Sequence, residues 1–250
     1  MVRENLDRVR TRIAAAAQRA GRDPAGIRLI VVTKGVAVQY IEEAIACGVQ
    51  EIGENRVQEA QEKQIVLRQA QDERLAQDER LVRWHLIGHL QRNKVKQALE
   101  FFDLIHSVDR LELAEALDRQ AALRQAQGER SQGERQLPVS VLVEVNASKI
   151  PTRFGVAPEE AAAFVEKIRR FSRLRLLGLM AMAPYAENPE SVRPIFRQVR
   201  ELAKRLQLAE LSMGMSNDFE VAVEEGATMV RIGTAIFRPS TGSGRTGVEQ

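Results

Sequence analysis

Residues Leu29 to Lys34 read LIVVTK, four β-prone aliphatic side chains running through Thr33 into a lysine. A short apolar run bounded by turn residues suits a strand buried on both faces. The helical pattern from Val38 to Cys47 makes it the first half of a βα unit. Lys34 is therefore expected at the carboxyl end of the first strand, where α/β folds place their chemistry. Apolar walls there would strip water from the charged form and favour a free amine, which is what a Schiff base with an aldehyde requires. Taken alone, the stretch fits better a lysine that snorkels into solvent. Two later stretches shift the balance. Ser212-Met213-Gly214-Met215-Ser216 leads into a helix amino terminus, and Gly233-Thr234 adds bare backbone and a hydroxyl. Exposed N–H groups and the helix dipole favour an anion at such a place; the competing reading is that these small residues only make turns. Arg231 stands beside the second loop, as a charge for a ring nitrogen or as half of an internal salt bridge. Amine, phosphate cradle and guanidinium together suggest pyridoxal 5′-phosphate. A guanidinium cannot accept a proton, so it would keep the pyridine nitrogen unprotonated and weaken the cofactor as an electron sink.

The elements that must hold these groups can be read in order. An amphipathic helix over Arg3 to Ala20 stops at Gly21. Strands follow at Leu29–Lys34, Glu51–Gly53, Trp84–Gly88, Asp103–Ser107, Val139–Val145, Leu174–Met182, Leu211–Ser216 and Met229–Ile232, with helical stretches between them. Asn55 is placed to cap the helix after the second strand, or to stand at the mouth of the site, and Glu59 adds a favourable charge to its first turns. Pro158 sits in the first turn of the sixth helix. Eight alternations with a leading helix predict a single (β/α)8 TIM-type barrel over residues 1–239. Near-copies of a polar unit, LRQAQDERLAQDERL at 67–81 and LRQAQGERSQGERQL at 123–137, read as insertions. They fall between helix and strand, at the barrel face opposite the chemistry. The tail 240–250, rich in Ser, Gly and Thr, is expected to be disordered.

Composition narrows the classes. The 250 residues carry 37 basic and 34 acidic side chains, net +3, interleaved rather than clustered, so no nucleic-acid footprint is expected. No apolar run approaches the roughly 18 residues of a membrane span. Cys47 is the only cysteine, which suits a reducing cytoplasm. His85, inside the third strand, reads as a satisfied core histidine, and no ligand spacing points to a metal.

Six motifs now carry a resemblance: LIVVTKG, GENRVQE at Gly53–Glu59, WHLIGHLQRNK at Trp84–Lys94, GLMAM at Gly178–Met182, LSMGMSND at Leu211–Asp218 and TMVRIGTAIF at Thr228–Phe237. Together the chain resembles the YggS/PROSC family of pyridoxal phosphate homeostasis proteins along its length, apart from the inserts and tail. The resemblance implies a barrel like the amino-terminal domain of alanine racemase, with the cofactor on Lys34. It implies Ser212, Ser216, Gly233 and Thr234 at the phosphate, Arg231 toward the ring nitrogen, and Asn55 and Met180 near the cofactor. It also implies storage and delivery of the cofactor, with pyridoxal-phosphate-dependent apo-enzymes as recipients and a monomer as the expected state, rather than a dedicated reaction. The runner-up is a racemase-like enzyme drawing a second acid/base from Tyr40, Tyr185, His85 or His89. Racemases of this kind supply that group from a further β domain, and the thirteen residues after Phe237 cannot build one. Departures from the family are Thr33 and Gly35 flanking the lysine, and the loop Asn146–Gly155, where Lys149-Ile150 and Arg153 replace a Gly-Glu pair and a lysine.

Overall fold

Each apolar run becomes a strand, and the eight strands pair in parallel in the order β1-β2-β3-β4-β5-β6-β7-β8 around a closed barrel. The computed structural model describes residues 1–74, 82–127, 138–148 and 150–238. The strands are β1 (Arg28–Val32), β2 (Glu51–Glu54), β3 (Arg83–Leu86), β4 (Leu104–Val108), β5 (Val139–Val145), β6 (Leu174–Ala181), β7 (Glu210–Ser212) and β8 (Met229–Ile232). The helices are α1 (Val2–Arg19), α2 (Val38–Ala46), α3 (Val57–Arg74), α4 (Val95–Phe101), α5 (Leu111–Gln127), α6 (Ala161–Ile168), α7 (Arg193–Arg205), α8 (Phe219–Glu224) and α9 (Thr234–Phe237).

Alternation along the strands splits the core in two. Val31, Ile52, Leu86, Ile105, Val141, Val143, Leu179 and Val230 belong to the large cluster that holds the strands to the helices. Ile30, Leu104, Leu142, Met180 and Met229 form a second, small cluster that fills the barrel axis. The helix expected at the amino terminus is α1. Its buried stripe, Val2, Leu6, Val9, Ile13, Ala16 and Ala17, packs against α8 and α9. Asn5 Nδ2 donates to the Ile236 carbonyl at 2.8 Å, so the leading helix braces the element that follows β8.

Several boundaries differ from the sequence reading. β3 stops at Leu86 and β7 at Ser212, so Met213–Ser216 is loop. The helix expected from Asn217 begins at Phe219, because Asp218 turns back and its carboxylate accepts the Met215 N–H at 2.6 Å. α3 begins at Val57, which leaves Asn55 two residues upstream rather than at its cap. α6 begins at Ala161, so Pro158 lies in the turn before it. The start of each polar insertion is helical, as the last part of α3 to Arg74 and of α5 to Gln127. The remainder of both, and the tail 240–250, lie outside the described residues. Among the described residues no helix is long and apolar enough to cross a membrane.

Candidate functional site

Lys34 lies just past β1. Val36 N–H donates to the Thr33 carbonyl at 2.9 Å, closing a four-residue turn with Lys34 and Gly35 at its centre. Gly35 has φ +67°, the left-handed conformation that the third position of such a turn demands. Ile30 sits in the barrel axis, and alternation carries Val32 and then Lys34 to the same side of the chain, at the carboxyl mouth. The apolar enclosure expected around Lys34 is not found: the side chain is exposed, because the turn lifts it above the last packed layer.

The two small-residue loops stand next to it. The register Val31↔Ile232 makes β8 the neighbour of β1, so the cradle is adjacent to Lys34 rather than across the mouth. A Cβ on Gly233 would fall 2.9 Å from the Val32 carbonyl oxygen. Gly214, at φ +93°, would place a Cβ 2.6 Å from Ala222 Cβ and 2.9 Å from Phe219 Cα. Both positions are closed to any side chain, which keeps backbone at the surface of the cradle. Ser216 Oγ accepts the Ala235 N–H at 3.3 Å and ties the two loops together. Thr234 is exposed, and its N–H opens α9 without an intrahelical acceptor. Hydroxyls, the Thr234 N–H and backbone at forced glycines are a donor set that suits a phosphate, and with a neighbouring primary amine the residues fit a phosphorylated aldehyde. Met180 is buried in the axial cluster as floor beneath this mouth. Asn55 is half-buried just past β2, on the far side of β1 from the cradle.

Two residues expected at the mouth lie deeper. Ser212 is fully buried and its hydroxyl is engaged from both sides. It accepts from Arg231 Nη1 at 2.7 Å and lies 2.9 Å from His106 Nδ1. It anchors Arg231 instead of facing solvent. Arg231 is itself buried, with Nη2 donating to the Ala181 carbonyl at 3.0 Å. Burial lowers its pKa to about 10, against the opposing pull of Glu144 and Asp218.

The chain continues through the barrel. His106 Nε2 is 2.9 Å from His85 Nδ1, and His85 Nε2 pairs with the Glu51 carboxylate, which also meets Arg83. His85 is therefore a satisfied core histidine, as its position in a strand suggested, but it is not alone. With both ring systems neutral, the chain can run in one sense from the guanidinium, which only donates, to an ionised carboxylate, which only accepts. Arg231 donates to Ser212, Ser212 to His106, His106 to His85, and His85 to Glu51. Burial holds His106 well below its ordinary range, so it stays neutral. The signal available in the sequence was a histidine inside the apolar run DLIHS.

Glu144 was also missed. It interrupts VLVEV on β5, two residues beyond Leu142, and so faces the same lumen one layer higher. Burial, reinforced by Asp109 and opposed by Arg231, pushes its carboxyl up to about 7. Over this region the loop after β5 is held as an arch. Asn146 Nδ2 donates to the Ile150 carbonyl at 2.8 Å, and Arg153 Nη1 reaches the Met182 carbonyl at 3.1 Å. The arch seats Phe154 on His89, with ring centroids 3.9 Å apart. Arg153 is thus a strut in this loop; Lys149 lies outside the described residues.

Known proteins match this arrangement along nearly all of the chain. The family model described as the N-terminal domain of alanine racemase matches residues 5–241. A pyridoxal phosphate homeostasis protein of Aquifex aeolicus is 42% identical over 240 residues, covering 94% of this chain and 96% of that protein. A protein of the same name from Pseudomonas aeruginosa is 40% identical over 238 residues, with 94% of each covered. The solved structure of PipY from Synechococcus elongatus, with PLP bound, superposes with a TM-score of 0.75 at 35% identity, covering 95% of this chain and all of that one.

Proposed function

Since the chain belongs to the alanine racemase N-terminal domain family, among the pyridoxal phosphate homeostasis proteins, we propose that it binds pyridoxal 5′-phosphate and serves its storage and delivery. The observation that carries this reading is the adjacency of Lys34 to the forced-glycine cradle after β7 and β8. When bound, the cofactor supplies a phosphate dianion and an aldehyde that condenses with a lysine amine with loss of water. The chain's residues divide the work. Ser216, Gly233 and Thr234 take the phosphate on hydroxyl and backbone donors. Ser212 holds Arg231 from below, and Arg231 has N–H groups left to aim at a ring nitrogen. Lys34 captures the aldehyde from an exposed turn, and Met180 and Asn55 complete the surroundings. An open capture site suits exchange of cargo better than a chemistry that must exclude water.

The competing racemase reading needs an acid/base opposite Lys34. His85 is committed to Glu51 and His106 inside the barrel, and His89 is stacked on Phe154. Delivery to apo-enzymes, action as a monomer and a cytoplasmic setting belong to the same proposal.

Borohydride reduction of protein loaded with pyridoxal phosphate, followed by peptide mapping, is expected to place the cofactor on Lys34 and to find no adduct in Lys34→Ala. An undiminished adduct in that variant would remove the proposal. Loaded protein incubated with D- or L-alanine in heavy water is expected to leave the α-proton in place; rapid exchange would favour the enzyme.

A further inference from the structure

The geometry points to Glu59 and Lys63 as positioning residues for Lys34: a Glu54–Lys63–Glu59 ion triad, buried at Glu54 and Lys63 and half-buried at Glu59, grips the backbone on both sides of the capturing amine. The inference rests on the reading of Lys34 given above. Glu59 and Lys63 stand at i, i+4 on α3 and share the face turned to the end of β1. The Lys63 side chain is 9% exposed, and Glu54 beside it is fully buried. Its ammonium has three N–H donors and engages three acceptors: the Thr33 carbonyl at 2.6 Å, Glu54 Oε1 at 2.7 Å and Glu59 Oε1 at 2.6 Å. Glu59 Oε1 also accepts the Gly35 N–H at 2.6 Å. Thr33 Oγ1 donates to Glu54 Oε1 at 2.5 Å. The residue before Lys34 is thus held by its carbonyl and hydroxyl, and the residue after it by its amide. Lys34 itself takes no part in the triad.

Such a triad is a poor device for stability alone, because desolvation of the buried Glu54–Lys63 pair offsets much of the attraction. Its convergence on the two peptides flanking one exposed lysine has a second use. A long side chain on a loose turn samples many positions; fixing both flanking peptides confines the arc that Nζ sweeps and raises its effective concentration at the neighbouring cradle. Gly35 strengthens the dependence in this chain: its left-handed backbone has no side chain to help hold it, so the amide bond to Glu59 is its anchor.

The test compares two probes. Pyridoxal 5′-phosphate uses both cradle and amine; 4′-deoxypyridoxine 5′-phosphate has a methyl in place of the aldehyde and uses the cradle alone. Glu59→Ala is expected to weaken pyridoxal phosphate about tenfold, the size of one hydrogen bond to a charged group, while the deoxy probe changes by less than about twofold. Glu59→Gln keeps an Oε1 acceptor for Gly35 and is expected to restore binding to within about twofold of the original protein. Lys63→Met should exceed Glu59→Ala; should it fail to fold, the Glu59 pair decides. The inference is overturned if Glu59→Ala binds pyridoxal phosphate unchanged, loses both probes equally, or is matched by Glu59→Gln. Lys34→Ala separates the two levels. If it retains the preference for pyridoxal phosphate over the deoxy probe, the reading of Lys34 fails. If it loses the preference while Glu59→Ala keeps it, only the positioning role falls.

Discussion

Glu144→Gln is expected to stabilise the protein at alkaline pH, the gap between the two stability curves widening by about 2.5 kcal/mol from about pH 5 to about pH 8. The sign follows from burial. Glu144 is 4% exposed, and its folded pKa of about 7 lies above the ordinary 4.5. Between those values the native protein holds a proton that the unfolded chain releases, so stability falls as pH rises through that window and levels off above it. Glutamine keeps the shape and removes the titration. Urea unfolding of both proteins across this range measures the effect; parallel curves would mean that Glu144 ionises freely in the native state. The neighbours give directional checks. Asp109→Asn removes the charge that adds to the rise and should lower the midpoint; Arg231→Met removes the charge that opposes it and should raise the midpoint. A phosphate dianion arriving above this carboxyl should favour its protonated form, so cofactor binding near neutral pH is expected to take up protons.

That carboxyl marks the limit of what could be read from the sequence. The barrel was legible because every strand is a short apolar run between turn residues, and alternation of helix and strand leaves few other architectures. The placement of Lys34, Ser216 and Gly233 just past β1, β7 and β8 was legible because each follows a short apolar run. Other features were not legible, for two physical reasons. Strand patterns in a parallel barrel are apolar on both faces, so period-two reading does not say which polar residue enters the lumen, and nothing in the sequence marks His106 or Glu144 as facing it. Contacts across the barrel also depend on closure. His85 and His106 meet because β3 and β4 are neighbours, and Ser212 joins them from β7 across the axis. Nothing in a spacing of 21 or 106 residues encodes that. Glu59 is an intermediate case. Its i, i+4 partner Lys63 was visible on the helix, but its bond to Gly35 appears only once α3 is laid beside the end of β1.

The largest loss of stability is expected for His106→Leu, about 3 kcal/mol in urea unfolding near neutral pH. Leucine would fill most of the space, and its burial is favourable. It would nevertheless leave His85 Nδ1 without a partner and the Ser212 hydroxyl with Arg231 alone, each loss costing about 1–3 kcal/mol in the barrel interior. Because the bonds form one continuous chain between Arg231 and Glu51, each polarises the next, and removing a middle link should be felt at both ends. A cycle with Ser212→Ala measures this. The double variant should fall short of the summed single losses by more than about 0.5 kcal/mol, whereas additivity would mean that the links act independently. The pH dependence separates this effect from that of Glu144: burial keeps His106 neutral in the folded protein while the unfolded chain takes up a proton below about pH 6.5, so its contribution is flat above that value and shrinks as pH falls through it, the opposite sense to Glu144. A barrel axis filled with hydrocarbon would avoid all these liabilities. The polar chain is explained by where it ends: Ser212 fixes Arg231 by one Nη and the Ala181 carbonyl holds the other, so the guanidinium is held in a set orientation before any ligand arrives.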